Sequence, residues 1–171
     1  MAYFEKEITV KEFFEEFVDI PKFIKYCREC GNYNNVWSCP PYSFDVEEYW
    51  KQFRTVLVIA DRFYPEKDLN YIDAWKALFE RKKILFDYTL GLEKEHEGSV
   101  LLTAGGCHMC ESCARKDGLP CRNPELIRYS VESLGGDVGK VVKNLFDIDI
   151  KWAAPGEVQE YMVLCGGLLK K

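Results

Sequence analysis

Apolar residues recur at helical spacing in some stretches of the chain and form short unbroken runs in others. The helical spacing, together with capping residues, predicts helices after Thr9 and Asp45 and a long helix over about 68–95. Further helices are predicted to open near Pro124 and Asp137. The unbroken runs are rich in β-branched residues and predict three buried strands, at 55–63, 99–106 and 158–169.

This order of elements predicts a single domain, residues 1–171, of the α/β or α+β class. A strand, a long helix and a second strand in succession form a βαβ unit, whose strands lie parallel with a right-handed crossover. We expect a small mixed sheet with flanking helices. The stretch at 107–121 follows the carboxyl end of the second strand, and the loop at 31–44 is expected at the same edge. The fold would then carry two cysteine-rich metal-binding loops at one sheet edge.

Composition and charge narrow the class of protein. With 171 residues, 47% of them hydrophobic, the chain can bury a core without disulfides. The acidic amino-terminal stretch does not resemble a signal peptide, and no apolar run approaches the roughly 20 residues of a membrane span. We therefore expect a cytoplasmic protein with reduced thiols and no membrane partner. A net charge of −5 argues against a nucleic-acid partner, and the sequence indicates no oligomeric state.

Four of the eight cysteines lie in one short stretch with the spacing C-x2-C-x2-C-x7-C. Two consecutive two-residue steps wrap a chain around three corners of a cubane, as in bacterial ferredoxins. Zinc sites more often use separate pairs of cysteines, each on its own knuckle. The spacing therefore predicts an iron–sulfur cluster of the 4Fe-4S type, held by Cys107, Cys110, Cys113 and Cys121.

Three further cysteines, Cys27, Cys30 and Cys39, precede the first of these strands with the spacing C-x2-C-x8-C-P. They predict a second metal site, which holds either a second cluster with an open iron or zinc with a borrowed fourth ligand. Cys165 lies outside both groups, and we expect a buried thiol at a strand end. Paired disulfides are the remaining alternative, which a reducing compartment disfavours.

Aromatic and basic side chains accompany the cysteines. Tyr33, Trp37 and Tyr42 flank Cys39, where they either shield a cluster from water or belong to an aromatic core. Four basic residues either offset an anionic cluster or are simply solvated: Arg115, Lys116, Arg122 and Arg128.

Three polar residues have structural interpretations. His108 is expected beside the cluster loop and not as a ligand. Glu132 is expected to orient the helix under that loop. Asp137 is expected as a helix N-cap.

Three motifs of this chain resemble, in order, those of an uncharacterised prokaryotic family of predicted metal-binding proteins, domain of unknown function 2284. They are CRECGNYNNVWSCPPYS, AGGCHMCESCARKDGLPCRNPE and RYSVESLGGDVGKVV, which together span residues 27–142. The third motif departs slightly from the family pattern at Tyr129 and Val131, and the family motifs include no cysteine at the position of Cys165. The resemblance implies metal binding, with iron–sulfur favoured, on the seven cysteines of the motifs, and it implies no reaction.

Two functional classes follow from these residues. The first is electron transfer by a small redox carrier or accessory subunit with one or two clusters and a redox partner protein. The second is an iron–sulfur enzyme whose three-cysteine cluster presents an open iron to a small-molecule ligand, near Tyr33, Trp37 and Tyr42, for Lewis-acid or sulfur-handling chemistry. A structural zinc protein is the third alternative.

Overall fold

The computed structural model describes residues 3–152, 154 and 156–171. Its four strands are β1 (Phe4–Thr9), β2 (Thr55–Phe63), β3 (Val100–Leu102) and β4 (Met162–Lys170). Its helices are α1 (Val10–Phe17), α2 (Ile20–Glu29), α3 (Val46–Trp50), α4 (Tyr71–Glu95) and α5 (Val138–Phe146). Short 3-10 turns lie at Ala114–Asp117, Pro124–Leu126 and Glu132–Leu134.

The strands form one sheet in the order β1-β2-β4-β3, which confirms the predicted class of helices around a small single sheet. The sheet is not mixed, however, because every pairing in it is antiparallel. Strands β2 and β3 do run in the same direction, as expected on either side of α4, but β4 lies between them. Helices cover both faces of β2, so its apolar run reflects burial on two sides, the property that usually marks a parallel strand.

Residues of β2 divide between the two faces of the sheet. On one face Val56 and Val58 pack with Phe13 and Trp50, which come from α1 and α3, and with residues of α5. On the other face β2 and β4 pack against α4, through buried residues that include Ile59, Leu85 and Leu164. The molecule therefore has three layers with the sheet in the middle.

Helix α4 buries only part of its apolar residues. Leu78 and Leu85 pack towards the sheet, but Ile72, Trp75 and Phe79 are exposed. None of the described helices is both long enough and apolar enough to cross a membrane.

The segment 128–137 joins the end of β3 to the junction of α1 and α2. The Thr103 N–H donates to the Tyr129 carbonyl at 2.9 Å, and the Asp19 N–H donates to the Gly135 carbonyl at 2.8 Å. Here the helix predicted to open at Pro124 is reduced to two 3-10 turns, while Asp137 caps α5 as predicted. Both cysteine groups begin near this segment, since α2 carries Cys27 and β3 leads into the four-cysteine stretch.

Candidate metal centre

The four-cysteine loop, residues 105–123, follows β3 and has only one 3-10 turn as regular structure. The turn begins after Cys113 and ends at Gly118, whose left-handed φ of 69° reverses the chain. Because of this reversal, the last cysteine of the loop returns towards the first three. All four thiols line one small cavity: Cys107, Cys110, Cys113 and Cys121.

Asn123 contacts two sulfurs of this loop. Its backbone N–H donates to Cys121 Sγ at 3.4 Å, and its side-chain Nδ2 donates to Cys110 Sγ at 3.6 Å. Arg122 points elsewhere and donates to the Ser112 carbonyl, which braces the loop internally. N–H donors aimed at sulfur are typical of thiolates that ligate a cluster.

The four cysteines of this loop border one shared space. Among the residues that the structure describes, no three His, Cys, Asp or Glu side chains are grouped as ligands of one metal ion. The four thiols instead surround a shared cavity of about 30 Å³.

The three-cysteine segment, residues 27–39, begins in the last turn of α2. The Cys30 N–H donates to the Cys27 carbonyl at 3.0 Å where the helix ends. Cys39 follows a series of tight turns and is buried, and its burial raises the pKa of its thiol to about 11. Burial raises the pKa of Cys27 as well. Metal binding to this segment would therefore displace protons.

The structure brings the two cysteine groups together. Arg115 of the four-cysteine loop donates to the carbonyls of Val36, Cys39 and Pro41 at 2.6–3.0 Å. Its guanidinium also lies over the Trp37 ring, 4.9 Å from the centroid. Arg115 therefore connects the two cysteine groups. Its guanidinium is not simply solvated, which is the usual state of such a side chain.

Two further contacts support this joining. The Cys107 N–H donates to Ser38 Oγ at 3.0 Å, next to Cys39. Gly106 lies so close that a Cβ there would be 3.5 Å from Cys39 Sγ and 2.9 Å from Asn32 Nδ2. A side chain at this position would displace the Asn32 amide and touch Cys39, so Gly106 lies at the contact between the two groups.

Lys82 of α4 lies between the groups. Its Nζ donates to the Gly106 carbonyl at 2.6 Å, and burial lowers its pKa to about 8. Glu132, Cys107 and Cys39 surround it and act in the opposite direction. Lys82 thus supplies positive charge beside thiols of both groups.

A cavity of about 480 Å³ opens beside the four-cysteine loop, with Cys107, Lys82 and Phe79 in its wall. His108 also lines it, edge-on to Phe79 at 5.1 Å, and burial lowers the pKa of this histidine to about 4. Cys107 is therefore the one cysteine of the four-cysteine loop that also borders this larger cavity.

The three aromatic residues around Cys39 divide between the two sites. Tyr33 and Tyr42 line a cavity of about 240 Å³ with Cys27 and Glu132. Tyr42 also packs against Phe44 and Tyr129 in the core, which confirms the aromatic-core interpretation for this residue, while the shielding of a cluster stays a prediction.

Trp37 instead lines the cavity of the four thiols, and its Nε1 donates to the Leu119 carbonyl at 3.0 Å. Trp37 therefore belongs to the site of the four-cysteine loop, although it is closer in sequence to Cys39. Arg128 is not solvated either, because its guanidinium pairs with Glu93 at 2.6 and 2.8 Å.

Cys165 is buried in the core as predicted, but it lies inside β4 and not at the end of the strand. Burial raises the pKa of its thiol, with Glu132 as the charged neighbour. All eight cysteines are free thiols in the structure, and the disulfide alternative finds no support.

Sequence reasoning missed the contacts of Ser38, Lys82 and Asn123. Ser38 and Asn123 are each next to or near a cysteine in sequence, a proximity that could have identified them. Lys82 gave no such signal, since it lies on a helix far from either motif. The ligand roles of the seven motif cysteines stay a prediction.

Comparison with known proteins gives one match. A family model described as predicted metal-binding protein (DUF2284) matches residues 14–169, a range that includes all eight cysteines and Glu132. No curated protein and no solved structure matches the chain.

Proposed function

Since the chain belongs to the family of predicted metal-binding proteins (DUF2284), we propose that its four-cysteine loop binds a 4Fe-4S cluster and that the protein transfers electrons. One observation carries the proposal: four thiols at ferredoxin-like spacing line a single cavity. Asn123, which donates to two of the sulfurs, supports it.

Electron transfer suits this site because four thiolates satisfy all the irons of a cubane. Such a cluster supplies one-electron transfer at a potential that hydrogen bonds and solvent exposure tune. Trp37 and Met109 cover part of the site, while the larger cavity reaches Cys107. A redox partner protein or a small acceptor can therefore approach the sulfur without entering the ligand shell.

An iron–sulfur enzyme is the second candidate function. The observation that favours it is the cavity of about 240 Å³ at the three-cysteine segment, with Cys27, Tyr33 and Tyr42 in its wall. A cluster held there by three cysteines would leave one iron free to bind a small-molecule ligand, as a Lewis acid or a sulfur carrier.

The enzyme candidate is tested by titration of the reduced anaerobic protein with cyanide or a thiolate. A changed paramagnetic resonance spectrum supports the enzyme, and an unchanged one leaves electron transfer.

Metal analysis of the anaerobically purified protein tests the principal proposal. We expect a brown protein with acid-labile sulfide in an amount about equal to iron, because a cubane contains as many sulfides as irons. Stoichiometric zinc without sulfide, after reconstitution with iron and sulfide, would contradict the cluster and favour a structural zinc protein.

Two cysteine variants locate the cluster. Cys110→Ala is expected to lose the cluster of the four-cysteine loop and to destabilise that loop. The matched control is Cys165→Ala, which removes an equally small side chain from the core. It should keep full metal content and cost about 1 kcal/mol of stability. Equal metal loss in both variants would assign Cys165 to a metal site.

A further inference from the structure

Glu132 carries an unpartnered oxygen in the interior. Among the buried side-chain nitrogen and oxygen atoms of the described residues, its Oε2 is the one without a hydrogen-bond partner. Burial raises the pKa of this carboxyl, although Ser130, Lys82 and Gly105 act in the opposite direction. Leaving a buried polar atom unpaired costs about 1–3 kcal/mol, so such an atom in a native fold needs an explanation.

The surroundings hold Glu132 in place. Ser130 and Ser133 exchange three hydrogen bonds around it, at 3.0–3.2 Å. The next turn is pressed onto α2, where a Cβ on Gly135 would be 2.8 Å from Ile20 Cγ1. Trp50 Nε1 donates to the Leu134 carbonyl in the core. These contacts fix the backbone on both sides of Glu132.

The oxygen lies next to an incomplete ligand set. Glu132 and Cys27 line the same cavity of about 240 Å³, and the carboxylate is close enough to contribute to the raised pKa of Cys27. The three-cysteine segment supplies three thiols, and the four cysteines of the other loop line a separate cavity. Cys165 is fully surrounded by the core and its nearest acceptor is the Gly166 carbonyl.

We infer that Glu132 provides the fourth ligand, a carboxylate oxygen, to the metal group held by Cys27, Cys30 and Cys39. Carboxylate oxygen ligates both iron and zinc in proteins. Lys82 lies beside Glu132 and offsets part of the negative charge of a site with one carboxylate and three thiolates. An oxygen ligand on an otherwise thiolate site makes that metal corner the exchangeable one. The inference rests on the proposed second metal site.

The test compares three variants reconstituted anaerobically with ferrous iron and sulfide. Cys30→Ser measures how much iron the second site holds, which is about half of the total when both sites carry a cubane. Glu132→Gln, which keeps the shape of the side chain but loses its charge, should lose as much iron as Cys30→Ser. The matched control is Glu125→Gln, an exposed glutamate in the preceding 3-10 turn, which should keep all of the iron.

Paramagnetic resonance and stability complete the test. The spectrum of the four-cysteine cluster should be unchanged in Glu132→Gln. Lys82 faces the Glu132 carboxylate with or without metal, so Glu132→Gln should lose less stability in chelator-treated, metal-free protein than in metal-loaded protein, where a ligand is lost as well. An equal loss of stability with and without metal would assign Glu132 a structural role and overturn the inference.

The iron counts separate the two levels of the proposal. If Cys30→Ser loses iron while Glu132→Gln retains it with an unchanged spectrum, the second site stands and the ligand role of Glu132 fails. If Cys30→Ser keeps all of its iron, the second metal site fails and the inference fails with it.

Discussion

Hydrogen bonds to a ligating sulfur withdraw charge from it and so favour the reduced form of an iron–sulfur cluster. Asn123 offers two such bonds, one from its backbone to Cys121 and one from its side chain to Cys110. Substitution of Asn123 removes only the hydrogen bond from its side chain to Cys110. This single side chain is therefore a direct probe of what occupies the four-cysteine loop.

Asn123→Ala is expected to shift the reduction potential of the cluster to more negative values, on the order of tens of millivolts, without loss of iron. The potential is measured by redox titration followed by paramagnetic resonance. Asn144→Ala is the matched control, since its amide donates to Glu16 on the surface and should leave the potential unaltered. An unchanged potential in both variants would mean that the Asn123 amide does not bind a cluster sulfur.

At the scale of elements, one ion pair fastens the end of α4 to β3 and to the segment 128–137. Glu93 accepts from Arg128 at 2.6 and 2.8 Å and from the Leu101 N–H at 2.6 Å. Burial raises the pKa of Glu93, but these donors outweigh it, and the net pKa lies below its ordinary value of 4.5. The pair therefore stabilises the fold above that value and is lost as pH falls through the lower, folded-state pKa.

Glu93→Gln is expected to lower the free energy of unfolding at pH 7 by about 3 kcal/mol, because it leaves a largely buried guanidinium unpaired. The difference from wild type should shrink towards zero in strong acid, where Glu93 is protonated in both states. Urea unfolding over a pH series measures both effects. Asp87→Asn, on the exposed pair with Lys83, is the control and should cost less than about 0.5 kcal/mol. An equal loss at every pH would show that the charge of Glu93 is not involved.

At the scale of the whole molecule, the core and the cysteine groups are largely separate. The main hydrophobic cluster joins α1, α3 and α5 to one face of the sheet, and among the cysteines only Cys165 belongs to it. A second cluster joins α4 to the other face. Small zinc-dependent domains unfold without metal because they lack such a core. This chain has one.

Metal removal is accordingly expected to loosen the two cysteine groups and leave the sheet intact. After anaerobic chelation, hydrogen–deuterium exchange should quicken in residues 27–39 and 105–123, while β2 and β4 stay protected. The metal-loaded protein serves as the reference. Fast hydrogen–deuterium exchange throughout β2 and β4 after chelation would show instead that the fold depends on its metal.

Local interactions account for what the sequence alone predicted. The Thr9 capping box, the Asp137 N-cap and strand β2 at 55–63 all depend on neighbours within a few residues. The spacing of the four cysteines is equally local, and their common cavity follows from it. Such features need no knowledge of the rest of the chain.

The tertiary structure alone decided the strand order, because β4 enters the sheet from the far end of the chain and pairs with β2 about a hundred residues earlier. It also decided the contacts of Arg115 with the Cys39 carbonyl, of Lys82 with both groups and of Glu132 with the cavity of Cys27. Each of these joins segments that no periodicity or spacing relates. These contacts form because helices cover both faces of the small sheet, so that the loops at its end pack against one another.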